Sequence, residues 1–141
     1  MQAVMSKEEM IKWLQDVFPQ VKDDFVVEHI DGVNTVMRMK IADRHLRPGG
    51  TVSGPSMFAL ADVSAYVATM ACIGKEALTV TTNCSIDFMR KPLAGRDLVA
   101  RTTLLKLGRS LSVSSVLIYS EGQDAPVARA NMTYAIPPRQ N

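Results

Sequence analysis

Only two cysteines and two histidines occur among the 141 residues, and that scarcity removes several chemistries at once. Cys72 and Cys84 have neither the C-x-x-C spacing of a redox site nor the number that a disulfide framework needs, so they read as buried free thiols of a reducing compartment. His29 and His45 stand alone, without carboxylate or thiol at ligand spacing, so no metal is expected. No G-x-S-x-G elbow accompanies Ser53, Ser56 or Cys84, which leaves those residues as two helix caps and a core thiol. Gly49-Gly50 beside Arg44, His45 and Arg47 lacks a Walker pattern and is as good a turn as a phosphate cradle. A net charge of +2 without any Lys/Arg-rich run gives no reason to expect nucleic acid. Met1 to Met10 is mixed and charged where a secretory signal would be apolar, so the expected location is the cytoplasm. No repeat or low-complexity tract divides the chain, and residues 1–141 read as a single domain.

What the chain does contain is one long apolar segment behind a glycine-rich loop. Pro55, with φ preset and no N–H to lose, suits the start of a helix, and Ser53 or Gly54 can cap it. From Met57 to Ile73 nearly every face is apolar, so this helix should be enclosed by other structure, and Gly74 should stop it. Length alone would also allow a membrane span, but its small residues, its acid and the half-buried strands that follow favour burial in a soluble fold. That acid is Asp62, with no Lys, Arg or His from Pro55 to Ile73 to pair with it. A buried, unpaired carboxylate is costly, and such groups tend to mark sites.

Around this helix the chain reads as mostly strands. Ser6-Lys-Glu-Glu9 is a capping box that should start a short helix near Lys7, with Met10, Ile11, Leu14 and Phe18 on one face and Pro19 at its end; residues 1–20 form this N-terminal element. Phe25–Ile30 and Thr35–Ile41 alternate around Asp31-Gly-Val-Asn34 as a hairpin. Four further strands are expected over 77–89, 97–107, 111–120 and 127–135, joined by Arg90-Lys-Pro-Leu-Ala-Gly95, Gly108-Arg109 and 121–126. Residues 136–141 should fray. A curled antiparallel sheet wrapped around one helix is the simplest way to bury that helix, hence an α+β class.

The order of elements, the Gly54 to Asp62 spacing, Leu60-Ala-Asp62, the Arg90-Lys-Pro-x-x-Gly95 turn and the Leu107-Gly-Arg109 hairpin together resemble the hotdog-fold acyl-CoA thioesterases of the phenylacetate-degradation (PaaI-like) type. The likeness runs from about Phe25 to Tyr134. It implies a homodimer, usually paired into a tetramer, that hydrolyses a small-to-medium acyl-CoA without a metal and with no cofactor beyond the coenzyme A of the substrate. It further implies that a helix-start N–H, here of Gly54, polarises the thioester carbonyl and that Asp62 serves as base or nucleophile. A strand hydroxyl used in relatives falls on Thr81, with Thr79 and Thr82 as neighbours that could take its place. Arg90, Lys91, Lys106 and Arg109 at strand ends are candidates for the nucleotide phosphates of coenzyme A.

The chain departs from the family pattern at the helix mouth. Ser53-Gly54-Pro55 stands where His-Gly-Gly is usual, and Arg47 stands where an Asn is common, so Arg47, Ser53 and Pro55 become candidate substrate-binding positions. These losses motivate a rival reading as a non-hydrolytic acyl-CoA-binding protein; a hydratase or dehydratase of the same fold would need a His beside the acid. Thioester hydrolysis itself asks for a polarised carbonyl and an activated water or nucleophile, which a helix N-terminus and an Asp can supply. Eight positions separate Gly54 from Asp62, ~12 Å along a helix axis, so one helix cannot bring both to one thioester and the site should be shared between two chains.

Overall fold

The structure, a computed structural model, describes residues 1–138. Helix α1 (Lys7–Val17) begins at the predicted capping box, with Ser6 Oγ accepting the Glu9 N–H at 3.1 Å and Glu9 Oε1 accepting the Ser6 N–H at 3.2 Å. Met10, Trp13 and Leu14 bury its inner face. Phe18, expected on that face, instead leaves it: the helix stops before Pro19, and Phe18 turns outward as the cap residue, with more than a third of its surface exposed.

Strands β1 (Phe25–Ile30) and β2 (Asn34–Met39) form the expected hairpin. Its turn is held by Asp31, whose Oδ1 accepts the N–H groups of Val33 and Asn34 while Gly32 adopts φ +94°. Strand β2 ends two residues sooner than expected, because the Ile41 N–H is taken by the Asp97 carboxylate. Helix α2 (Gly54–Ile73) follows, then β3 (Val80–Phe88), β4 (Leu98–Leu107), β5 (Leu111–Ser120) and β6 (Ala128–Ala135). Residues 77–79, assigned to a strand from sequence, form a turn instead, with the Thr79 N–H bonded to the Glu76 carbonyl.

All six strands join in one antiparallel sheet in the order β1-β2-β4-β5-β6-β3. Helix α2 lies across its inner face, against β2, β4, β5 and β6, with eleven of its twenty residues buried. The helix is long and apolar enough to cross a membrane, but the same composition is what a helix enclosed by a curled sheet requires. This is the hotdog arrangement. Leu60, Val67 and Met70 are fully buried there, and truncating Leu60 or Met70 to Ala should cost about 2–5 kcal/mol.

Two burial expectations differ from the structure. Cys72 and Cys84 are free thiols but only half-buried, Cys84 because β3 is an edge strand with few covered positions. Conversely, Ile136, expected to fray, is buried, and its N–H donates to the Ser110 carbonyl. The last three residues of that expected tail, 139–141, lie outside the described residues.

Candidate functional site

Ser53 caps α2: its Oγ accepts the Ser56 N–H at 3.3 Å and donates to Ser56 Oγ at 2.9 Å. Pro55 has no N–H, so among the described residues the Gly54 N–H is the one donor of the first turn that no acceptor takes. The glycine also has a steric role. A Cβ at Gly54 would lie 3.3 Å from the ring of Phe88, so any larger residue there would have to push that ring aside. A cavity of about 490 Å³ opens here, lined by Arg47, Gly54, Met57, Phe88, Arg90 and Lys91 among others. It is a helix start surrounded by cations, the setting an anionic or polarised oxygen prefers.

Behind this mouth the loop is tied down from below. The buried His45 accepts the Ala42 N–H at Nδ1, and its carbonyl accepts the Ser53 N–H at 2.8 Å. Its Nε2 stands 3.2 Å from Asp24, which also pairs with Arg44. Burial works against the Asp24 charge, but Arg44 and His45 outweigh it and hold the carboxyl below its ordinary range. Arg44 and His45 are therefore committed to Asp24. The possible phosphate cradle at Gly49-Gly50 is instead a turn, closed by the Gly50 N–H on the Arg47 carbonyl, with both glycines at positive φ.

Asp62 occupies a second cavity, of about 440 Å³, lined by Val17, Phe18, Val63, Tyr66, Thr81 and Tyr134 among others. The expected buried carboxylate is only half-buried; among the described residues no cation pairs with it, but Oδ1 accepts from Thr81 Oγ1 at 2.7 Å and from Tyr134 Oη at 2.6 Å. Thr81 and Tyr134 are opposed across β3 and β6, just before an irregularity in the register that re-aims the strand. Of the three candidate threonines, Thr81 alone meets Asp62; Thr82 reaches towards the Thr133 carbonyl, and Thr79 is buried in the wall of this cavity. Tyr134 escaped sequence reasoning because nothing in a β-strand's alternation says which helix residue lies beneath it.

The structure thus gathers Arg47, Ser53, Gly54, Pro55, Arg90 and Lys91 at one end of α2, and Asp62 and Thr81 at another place. Lys106 and Arg109 join neither cavity; they are exposed around the β4–β5 hairpin, at the sheet end opposite Phe88. Arg90 spends part of its donor capacity on the Pro126 carbonyl. Neither histidine lines either cavity. Among the described residues no three His, Cys, Asp or Glu side chains cluster as metal ligands.

Comparison with known proteins agrees with this geometry. The thioesterase superfamily profile matches residues 49–135. A protein of Silicibacter sp. TM1040 named as a candidate thioesterase is 55% identical, with 98% of this chain and 96% of that one covered and a TM-score of 0.93. The phenylacetic acid degradation protein PaaI of Thermus thermophilus, in a mutant form, is 27% identical over 84% of this chain and 99% of its own, with a TM-score of 0.73. A Streptococcus mutans UA159 protein bound to acetyl CoA shares the fold at 19% identity, covering 84% of this chain and 92% of its own, with a TM-score of 0.73. No curated protein matches the chain. A profile covering the helix mouth, Asp62 and all four later strands, together with a 55% identical relative along nearly the whole chain, places the protein in the thioesterase superfamily, as a hotdog-fold member of the PaaI-like type.

Proposed function

We propose that the chain hydrolyses a small-to-medium acyl-CoA thioester as a cytoplasmic homodimer, itself paired into a tetramer, with each site built from two chains. The observation that carries this reading is the division of labour between the cavities: one holds a free helix-start N–H among cations, the other a carboxylate. Both lie against β3, Gly54 beside Phe88 at its end and Asp62 bonded to Thr81 near its start. Strand β3 is the sheet's edge, and Val80 and Phe88 on it are more than half exposed. An apolar edge of that kind asks for a partner strand. If a second copy pairs antiparallel about Cys84, the middle of β3, Val80 of one chain comes opposite Phe88 of the other. Each Asp62 cavity is then carried to the other chain's Gly54, which resolves the ~12 Å separation along the helix.

In that arrangement the thioester oxygen accepts the Gly54 N–H, and the carboxylate either takes a proton from a water that attacks the carbonyl carbon or attacks it itself to give a mixed anhydride that water then hydrolyses. Either way the C–S bond breaks, coenzyme A leaves as its thiol and the acyl group leaves as the free acid. Arg47, Arg90 and Lys91 flank the Gly54 cavity, where they can meet the phosphates of a bound coenzyme. The Streptococcus mutans protein's acetyl CoA is of the ligand class this cleft would take. The test is release of free thiol from a panel of acyl-CoAs by the wild-type chain. Turnover that saturates with at least one of them is expected. Tight binding of acyl-CoA without release would instead favour the non-hydrolytic reading, and addition of water across an enoyl-CoA would favour a hydratase.

A further inference from the structure

Asp62 is held by more contacts than a carboxylate that merely faces solvent would need. Tyr134 Oη lies 2.6 Å from Oδ1 and 2.7 Å from the backbone oxygen of the same residue, so its single O–H is aimed between the side chain and the main chain of Asp62. Thr81 Oγ1 donates to that same Oδ1 at 2.7 Å. Among the described residues nothing bonds Oδ2. The tyrosine is itself immobilised: it is buried, and its ring lies 6.0 Å from Tyr66, which stacks at 5.9 Å and nearly parallel on Trp13 of α1. Burial, and the Asp62 charge beside it, push the Tyr134 hydroxyl well above its ordinary range, so it stays a donor.

We propose that Tyr134 is a positioning residue of the reaction: with Thr81 it fixes Oδ1 of Asp62, and Oδ2 is the oxygen that meets the thioester or its attacking water. The inference rests on the hydrolase reading and adds to it which oxygen works and what aims it. A carboxylate free to turn about its last torsion would present either oxygen across a broad range of angles. Two donors on one oxygen remove that freedom before substrate arrives, the preorganisation that positioning supplies to catalysis. The stack from Trp13 through Tyr66 extends the same constraint to α1, whose last residue Val17 and cap residue Phe18 wall the cavity.

Tyr134→Phe removes one oxygen and keeps the ring in its packing. With the acyl-CoA that the wild type turns over best, kcat should fall about 10- to 100-fold, the scale of a hydrogen bond to a charged group, while KM stays within about twofold. Placed in the Asp62→Asn background, the same change should lower the residual turnover no further, since it acts only through the carboxylate. An unchanged kcat in the single variant, or an equal loss in both backgrounds, overturns the proposal. A crystal structure of Tyr134→Phe supplies a readout free of activity: the Asp62 carboxylate should be rotated or split between orientations, and an unmoved carboxylate also overturns it. Absence of hydrolysis by the wild type would defeat the hydrolase reading instead, and the crystal structure would still decide whether Tyr134 aims the acid.

Discussion

The cavities at the two ends of β3 are made of opposite materials. The one at Gly54 is built mostly from loop, carries Arg47, Arg90 and Lys91, and offers a backbone N–H. The one at Asp62 is built mostly from helix and strand, is lined by Phe18, Tyr66 and Tyr134, and offers a carboxylate held by two hydroxyls. A cationic mouth suits the phosphates and the polarised oxygen of a thioester, whereas an aromatic chamber suits an acyl group. Neither holds both halves of the chemistry. The contrast shows that α2 contributes to two cavities at once, giving its first residue to one and its ninth to the other.

The largest effect should come from the acid. Asp62→Asn should lower acyl-CoA turnover at least ~100-fold, the scale of a lost general base, because the amide can neither accept a proton nor attack. Its oxygen can still accept from Thr81 and Tyr134, so the melting temperature and oligomer should change little. Near-normal thiol release by this variant would leave the Asp62 chamber as acyl pocket only.

Mixing chains tests whether the two cavities belong to one site. Gly54→Val forces a side chain against Phe88, 3.3 Å from where a Cβ would sit, and should inactivate by blocking the mouth. Homodimers of this variant and of Asp62→Asn should both be nearly inactive, while mixed dimers recover about half of wild-type turnover, one intact site of two. Mixed dimers, verified by mass, that remain as inactive as their parents would show that the halves do not meet across chains.

A smaller change is expected from the cationic rim. Arg47→Ala should raise KM several-fold and change kcat less, the signature of binding lost equally from ground and transition states. Initial rates over a range of acyl-CoA concentrations separate the two parameters, and unaltered kinetics would mark Arg47 as a solvated loop residue.

Smallest of all should be a change remote from both cavities. Asp31→Ala removes the carboxylate that accepts two N–H groups in the β1–β2 turn, and should cost about 1 kcal/mol or less without altering turnover. The bond from Asn34, with help from His29 and Val33, holds this carboxyl below its ordinary value near 3.8. Its contribution is therefore present above that value and disappears as pH falls through the lower, folded-state one. Denaturant melts of the two proteins should differ at neutral pH and converge in strong acid.

Much of this was legible in the chain itself, because local rules govern it. Ser6 and Glu9 specify a helix start through two reciprocal bonds, and the unbroken apolar run from Met57 to Ile73 specifies a helix that other structure must enclose. Alternation and turn residues located the strands to within a few positions, failing mainly at 77–79 and after Met39, where a backbone turn and the Asp97 side chain took over the hydrogen bonds. Gly54 and Asp62 stood out by type and spacing. Tyr134 and Phe18 did not, since a tyrosine on an alternating strand and a phenylalanine beside a proline look like core until their neighbours are known.

The sequence by itself determined the helices, the enclosed core helix and the approximate strands, and it marked Gly54 and Asp62 by residue type and spacing, since each of these follows from residues close together along the chain. Only the tertiary structure decided that Asp62 is a half-buried carboxylate held by two hydroxyls, and that Arg90 and Lys91 share the Gly54 cavity while Lys106 and Arg109 do not. It also placed β3 at the sheet's edge. The physical reason is sequence distance: Tyr134 meets Asp62 from seventy-two residues away, through a strand order that no local pattern encodes.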